Sequence, residues 1–349
     1  MSSGMSSDEI IKREIIEELG HEVGRIKLRA FPQSSTDDQA LFRNGGLTFG
    51  VDGVEYGSCD AAWYIDKQKY RDPYDNSIID VTPVIALEGT DALTRGSSGN
   101  AQYQRFHHAL GAVKGGLIGI YYLKPGKEAL RLDLFRMAYC ATKVEKGYYL
   151  IIQDLSILKK LLILIDKFGV SSEPVIKYME NYNEHTNKIW KQDFDSNYKG
   201  SWQIFADKRS TIIKDKYIIK YAGRMLRNFT DASQRAGHIA VGEMFLTKYF
   251  FENKHFMYLF LKMTRAEVSY LDKHKSNDKE WFLLRNEPGV TIVTIDELIG
   301  LPPKIKAALL EIKDNPLKGE SLTIYIDCVK KIVTLLKNGQ VNIDPKYLP

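Results

Sequence analysis

Two stretches of the sequence decide the fold: DAAWYI at residues 60–65 and IIDVTPVIAL at residues 78–87. Both are apolar and rich in aromatic or β-branched residues, which is typical of buried strands. Asp60 opens the first stretch, and Glu88 directly follows the second. Pro83 lies inside the second stretch and weakens the strand prediction there, because proline cannot donate a hydrogen bond to a strand ladder.

The flanking sequence predicts a helix and a hairpin before these strands, and a helix and a strand after them. Asp8–Leu19 carries isoleucine or leucine at every fourth position from Ile11, as on one face of a helix. Leu47–Tyr56 contains the hairpin dipeptide Asp-Gly. Ala101–Lys114 returns to helical spacing, and Leu117–Leu123 is an apolar run typical of a strand. The predicted fold class is therefore α/β, with a mixed central sheet flanked by helices.

Asp60 and Glu88 stand at the ends of neighbouring predicted strands. Because adjacent strands lie about 4.8 Å apart, we expect the two carboxylates to converge at one edge of the sheet. Such a pair suits a hard divalent cation such as Mg²⁺, which can lower the pKa of bound water and neutralise charge on a phosphoryl oxygen. The next helix begins near the same edge, and its N-terminus favours phosphate.

This order of elements resembles the PD-(D/E)XK nuclease core over roughly residues 8–125. The residues that carry the resemblance are Asp60, then Glu88-Gly89-Thr90, then the helix with Gln102 and the strand LIGIYYL. By its size and its appended basic region, the chain most resembles a type II restriction endonuclease. The resemblance implies that Asp60 and Glu88 bind Mg²⁺, and it assigns catalytic roles to Asp60, Glu88, Thr90 and Gln102.

The sequence departs from that pattern at two positions. Cys59 precedes Asp60 where the family has proline, and Thr90 occupies the position where the family usually has lysine. The general base is therefore unassigned. Nearby candidates are Asp91, Arg95 and Lys114, and Glu18 on the first helix could add a carboxylate.

Simpler interpretations of these residues stay open. Polar residues commonly mark strand ends, and Asp72 and Asp80 are rivals for the aspartate role. Thr90 and Asp91 also suit a loop-capping role. The adjacent pair His107-His108 cannot share a helix face, so it is not expected to bind a metal as a pair.

The composition excludes several classes of protein. The chain has 349 residues with 44% hydrophobic and 27% charged residues, which is typical of a globular protein. Three cysteines are too few for a disulfide scaffold and fit a reducing compartment. No apolar stretch reaches the roughly 18 residues that a transmembrane helix needs, so we expect no membrane partner. No Gly-Lys-Ser/Thr phosphate loop occurs.

The positive charge is concentrated in one segment. Residues 201–287 hold 16 Lys and Arg against 10 Asp and Glu, a net charge of +6, whereas the whole chain has a net charge of +5. Lys208–Arg227 interleaves cations with tyrosines and predicts a helix that lies along a phosphate backbone. Gln234 and Arg235 follow and are suited to base edges. The predicted DNA-binding residues are Lys208, Arg209, Lys214, Lys216, Lys220, Arg224, Arg227, Gln234 and Arg235.

These observations lead to one main hypothesis. Residues 1–155 form a nuclease-like core, and residues 156–349 form a mainly helical region for DNA recognition and dimerisation. We expect a Mg²⁺-dependent, sequence-specific endonuclease that acts on double-stranded DNA as a homodimer, in the cytoplasm of a prokaryotic cell as the resemblance implies. The alternatives are a non-catalytic DNA-binding protein on the same scaffold and a structure-specific repair nuclease.

Overall fold

A computed structural model of the chain divides it into two compact units, Met1–Gln192 and Asp193–Pro349. The structure describes residues 7–30, 47–51, 54–71, 78–94, 102–202, 204, 211–213, 217–221, 235–251, 255–274, 279–315 and 319–348. The division falls within a long helix, 37 residues beyond the predicted boundary at residue 155. Helices after residue 155 add leucines and isoleucines to the core of the first unit, which explains the difference.

The first unit is built on a six-stranded mixed sheet. Its elements, in chain order, are α1 (Ser7–Leu19), β1 (Glu22–Val23), β2 (Ile26–Ala30), β3 (Leu47–Val51), β4 (Val54–Cys59), β5 (Ala61–Arg71), β6 (Ile78–Thr90), α2 (Phe106–Lys114), β7 (Ile118–Leu123), α3 (Asp133–Val144), β8 (Tyr148–Ile152), α4 (Leu155–Phe168) and α5 (Glu173–Tyr198). The strand order is β1-β2-β5-β6-β7-β8, antiparallel from β1 to β6 and parallel from β6 to β8. The prediction of a mixed central sheet flanked by helices is confirmed.

The two faces of this sheet hold different helices. Ile85 and Leu87 pack with residues of α1 and α4 in one apolar core. The opposite face of the sheet contacts α2. The approach is close: a Cβ atom added to Gly119 of β7 would lie 2.5 Å from the carbonyl oxygen of Ala109 in α2. Glu88 alternates with Leu87, so its side chain lies on the α2 face.

The strand β6 tolerates a proline because the ladder is irregular there. Pro83 pairs with Tyr64, whereas Ile85 pairs with Trp63, so the register shifts at this point. A bulge is one of the few places inside a sheet where a missing backbone N–H is accepted. The strand therefore continues to Thr90, and Glu88 lies within it rather than after it.

The second unit contains a sheet that the sequence prediction missed. Its elements are β9 (Thr211–Ile213), β10 (Tyr217–Tyr221), α6 (Arg235–Phe250), β11 (His255–Phe260), α7 (Arg265–His274), α8 (Lys279–Asn286), β12 (Val290–Thr294), β13 (Leu298–Ile299), α9 (Pro303–Glu311), α10 (Gly319–Lys337) and β14 (Asn342–Ile343). Strands β10, β11 and β12 are parallel, and β9 pairs with β10 in the antiparallel sense. The predicted mainly helical region thus has an α/β core at its centre.

The predicted helix over Lys208–Arg227 is wrong in the part that the structure describes. Thr211–Ile213 and Tyr217–Tyr221 are strands β9 and β10. Ile213, Tyr217 and Tyr221 are spaced by four, which fits a helix, but the spacing of four between Tyr217 and Tyr221 is also even and fits one face of a strand. Pairing with β11 decided between the two. Among the described residues, no helix is long and apolar enough to cross a membrane.

Candidate functional site

Asp60 and Glu88 converge on the α2 face of the first unit. Ala61 pairs with Leu87, and the backbone N–H of Asp60 donates to the carbonyl oxygen of Leu87 over 2.9 Å. Asp60, in the bend directly before β5, therefore lies beside the end of β6 that carries Glu88. The backbone N–H of Gly89 donates to Asp60 Oδ2 over 2.7 Å and orients this carboxylate.

Glu88 is contacted by a guanidinium and an imidazole of the α2 region. Its side chain is only 1% exposed. Arg105 Nη1 lies 3.0 Å from Glu88 Oε1, and His108 Nδ1 lies 3.2 Å from Glu88 Oε2. A buried carboxylate is costly unless it is paired, and Arg105 supplies a charged partner for Glu88 at this position. The histidine contributes a positive charge when it is protonated.

The start of α2 explains why these two residues reach the same carboxylate. Arg105 is the N-cap residue of α2, and His108 follows three positions later on the same helix face. Gly57 in β4 makes room for the imidazole, because a Cβ atom there would lie 2.5 Å from His108 Cδ2. Gly57 also has a φ of +109°, which favours glycine.

The surroundings of the two carboxylates carry negative potential. Burial raises the pKa of the Cys59 thiol, and the charges of Glu88 and Asp60 raise it further. Burial also raises the pKa of Tyr121, which pairs with Glu88 in the ladder, and Glu88 adds to this shift while Arg105 opposes it. Cys59 therefore stays a neutral thiol beside the two carboxylates.

Thr90 lies two residues beyond Glu88 and on the same face of β6. It is buried, its Oγ1 accepts a hydrogen bond from the N–H of Ala92 over 3.2 Å, and its carbonyl accepts one from Lys124. Asp91 is also buried, and its carbonyl accepts two bonds from Thr94. Both residues thus shape the turn after β6, and Thr90 brings no charge to the site.

Gln102 is buried in a short turn before α2 rather than inside the helix. Its Nε2 donates to the carbonyl oxygen of Ala129 over 3.0 Å, and its Oε1 accepts from the N–H of Arg131 over 2.8 Å. These bonds attach the segment before α2 to the segment before α3. The observed contacts of Gln102 are those of a residue that fixes the backbone.

Three other sequence candidates lie away from the carboxylate pair. Lys114 is at the C-terminal end of α2 and pairs with Glu145 over 3.2 Å, about 13 Å along the helix from Arg105. Asp80 precedes Glu88 by eight residues in β6, or about 26 Å of strand. Glu18 is exposed on α1, which packs on the opposite face of the sheet. Arg95 and Asp72 lie outside the described residues.

The carboxylate oxygens of this site can supply part of the coordination shell of Mg²⁺. Mg²⁺ typically binds one or two carboxylates and completes its shell with waters and substrate phosphates. Asp60, directly before β5, and Glu88, in β6, supply two such carboxylates. In the described part of the chain, no three His, Cys, Asp or Glu side chains form a metal-holding group. Remaining ligands would then come from the substrate and water, and Glu88 would exchange a contact with Arg105 or His108.

The predicted DNA-binding residues lie largely outside the described part of the second unit. This holds for Lys208, Arg209, Lys214, Lys216, Arg224, Arg227 and Gln234. Lys220 lies in β10 and Arg235 begins α6.

Several described cations of the basic segment are engaged within the second unit. Lys248 contacts Glu287, Arg265 contacts Glu297 and Arg285 contacts Asp272. Asp272 and Glu287 are already counted in the net charge of +6, whereas Glu297 lies outside residues 201–287 and compensates one further positive charge of the segment.

Sequence reasoning missed Arg105 and His108. Their signal was the spacing of three at the start of a helix that follows a Glu-bearing strand. No protein-family model, curated protein or solved structure matches the chain.

Proposed function

We propose that the protein is a Mg²⁺-dependent endonuclease that hydrolyses phosphodiester bonds in double-stranded DNA, of the type II restriction kind. The observation that carries the proposal is the pair of neighbouring carboxylates at the start of α2: Asp60 accepts a bond from the N–H of Gly89, and the adjacent Glu88 contacts Arg105, the N-cap residue of α2. Two carboxylates that can donate oxygen ligands suit metal-assisted phosphoryl chemistry. Nucleophilic catalysis by Cys59 is less suited to this site, because the pKa of the Cys59 thiol is raised.

The residues of the pair have distinct tasks in this proposal. Asp60 and Glu88 hold the cation, and the Gly89 N–H keeps the Asp60 carboxylate oriented toward it. Bound Mg²⁺ supplies Lewis-acid activation of the phosphoryl group and a lowered pKa for water. His108 holds Glu88 from the side of α2, and Thr90 maintains the turn at the end of β6.

Recognition of DNA is assigned to the second unit in this proposal. The support is the net charge of +6 in residues 201–287. A homodimer that cuts both strands follows from the resemblance to restriction enzymes and is part of the proposal.

A second candidate function is binding of DNA without cleavage. Two observations favour it: Thr90 is uncharged, and Glu88 already contacts Arg105 and His108. In that case the carboxylate would be a structural anchor for α2.

A cleavage assay on mixed-sequence DNA tests the proposal. The protein is incubated with plasmid and linear DNA in Mg²⁺, and a parallel sample receives EDTA. We expect discrete fragments that EDTA abolishes and that both Asp60→Asn and Glu88→Gln lose. Asp166→Asn is the matched control, because Asp166 is an exposed carboxylate that also accepts bonds from an arginine and a backbone N–H. DNA that is bound but uncut by the wild type would favour the second candidate.

A further inference from the structure

We propose that Arg105 is the phosphate-binding residue of this site and supplies the positive charge that Thr90 does not. The inference rests on the proposed function. The Arg105 side chain is 35% exposed, yet its Nη1 lies 3.0 Å from the Glu88 carboxylate, which is 1% exposed. The guanidinium therefore spans the boundary between solvent and the buried carboxylates, where a substrate phosphate would arrive.

The backbone around Arg105 adds to this placement. Arg105 is the N-cap residue of α2, a helix of nine residues, and its own side chain makes no cap hydrogen bond to the N-terminal N–H groups of that helix. Such groups carry partial positive charge and bind phosphate oxygens readily. An anion that contacts Arg105 from the solvent side would also approach the N-terminal end of α2.

The chemistry of the guanidinium permits both contacts. Arginine carries five N–H donors in a rigid fork that matches phosphate, and it stays charged at all relevant pH values. One donor can stay near Glu88 while others turn to a phosphate oxygen. Where charge develops in a phosphoryl-transfer transition state, such a fixed cation lowers the barrier.

Binding of a cation by Asp60 and Glu88 would strengthen this role. A divalent cation neutralises Glu88 and weakens its attraction for Arg105. The guanidinium then becomes available to the phosphate that the cation also binds. This predicts that the cation and DNA favour one another's binding, and that Arg105 carries part of the coupling.

DNA binding measured at several salt concentrations tests Arg105 without relying on activity. Binding of a short duplex is measured in Ca²⁺ and in EDTA, and the recovered DNA is checked on a gel to be intact. A phosphate contact contributes about 0.9 to the slope of log affinity against log salt. We expect Arg105→Gln to lower this slope by about one in Ca²⁺ and much less in EDTA, with Arg105→Lys in between.

Arg25→Gln is the matched control, because Arg25 is an exposed arginine of the same unit that pairs with Asp166. The control should leave the slope unchanged. In Mg²⁺, we expect Arg105→Gln to slow cleavage by roughly 10²- to 10³-fold. Circular dichroism confirms that each variant is folded before it is compared.

The outcomes separate this inference from the proposed function. If the wild type never cuts DNA but Arg105→Gln still lowers the slope, the endonuclease proposal fails and the phosphate contact stands. A second outcome starts from a wild type that cuts DNA and a Glu88→Gln variant that does not cut it. If Arg105→Gln then keeps both the wild-type cleavage rate and the wild-type salt slope, the Arg105 inference is overturned. A change of cleavage rate without any change of slope also contradicts a phosphate contact.

Discussion

Each unit of the protein contains a buried glutamate that contacts an arginine, and the two glutamates are held in different ways. Glu297 in the second unit accepts bonds from the N–H and the hydroxyl of Thr294, in a capping box, and from Arg265 Nε over 2.7 Å. Arg265 in turn donates to the carbonyl oxygen of Ile292 and stacks on Tyr347. Glu88 in the first unit meets the side chains of Arg105 and His108, and the carboxylate of Asp60 accepts a bond from the next residue, Gly89.

The difference indicates which glutamate is structural and which is suited to chemistry. Glu297 is bound by the backbone and the hydroxyl of Thr294 in its own turn, so these two bonds form whenever the turn folds, and Arg265 adds to them. Glu88 depends on side chains from another element and sits beside a second carboxylate, and like charges at that distance repel. Natural proteins accept such local conflicts mainly at functional sites.

The largest expected effect is on cleavage. Glu88→Gln should reduce the rate of DNA cleavage by about 10³-fold, or about 4 kcal/mol in activation free energy, because an amide replaces a charged oxygen ligand. Glu297→Gln should keep the cleavage rate within a factor of about three. Rates are measured with excess enzyme at a temperature where both variants are folded. Equal losses in the two variants would remove the distinction between the glutamates.

The effects of the same two substitutions on the free energy of unfolding should have the reverse order. Glu297→Gln breaks a buried ion pair and should lower the free energy of unfolding of the second unit by about 3 kcal/mol. Glu88→Gln should change that of the first unit by less than about 1 kcal/mol, because the lost contacts with cations are offset by relief of repulsion from Asp60. Hydrogen exchange in increasing urea, followed separately for peptides of each unit, measures both changes. A larger loss for Glu88→Gln would make it a structural residue.

The position of α2 can be disturbed without touching any charged residue. Gly119→Ala places a Cβ atom 2.5 Å from the Ala109 carbonyl oxygen and from Val113 Cγ2, so it must push α2 away from β7. We expect about 2 kcal/mol of destabilisation and a lower cleavage rate as Arg105 and His108 shift. Gly115→Ala is the control, because Gly115 has an ordinary φ of −73° and lies exposed after the helix. Thermal unfolding and cleavage of both variants are compared, and equal behaviour would contradict the close approach.

The contribution of Glu297 should depend on pH. Burial raises the pKa of its carboxyl, but the bonds from Arg265 and Thr294 outweigh burial and bring the pKa below its usual value. A carboxyl whose pKa is lowered by folding stabilises the protein above the unfolded-state pKa, and this stabilisation is lost as the pH falls through the folded-state pKa. The stability difference between wild type and Glu297→Gln should therefore shrink between pH 6 and pH 3, as urea unfolding can measure. A constant difference would show that the ion pair is not its source.

The smallest expected effect comes from an exposed pair in the second unit. Lys306 Nζ lies 3.3 Å from Asp296 Oδ1, and both side chains are well exposed. Lys306→Ala should change the free energy of unfolding by less than about 0.5 kcal/mol, because water screens such pairs. Chemical denaturation measures the free energy of unfolding of this variant and of Glu297→Gln under the same conditions. The small change in the exposed pair then serves as the reference for the larger change in the buried pair. A comparable loss would mean that the buried geometry of Glu297 adds little.

Much of the first unit could be predicted from local sequence patterns. The strands 60–65 and 78–87 and the helix 8–19 were found because apolar periodicity is a local property. Where the prediction failed, long-range pairing decided the outcome. The spacing of Tyr217 and Tyr221 in β10 fits a helix as well as a strand, and the partner strand β11 lies more than 30 residues away in the sequence. The start of α2 was placed five residues too early, which concealed Arg105 as its N-cap residue.

The sequence by itself determined the α/β class of the first unit and the positions of Asp60 and Glu88 at neighbouring strand ends. The alternation of side chains along a strand and the ends of a strand depend on contiguous residues, so they can be predicted without the rest of the chain. Only the tertiary structure decided which cations meet Glu88. Arg105 lies 17 residues beyond Glu88, and it reaches the carboxylate because α2 crosses back over the sheet between the parallel strands β6 and β7. That crossing is set by packing of the helix on Gly119 and the strand pairing, and no local pattern encodes it.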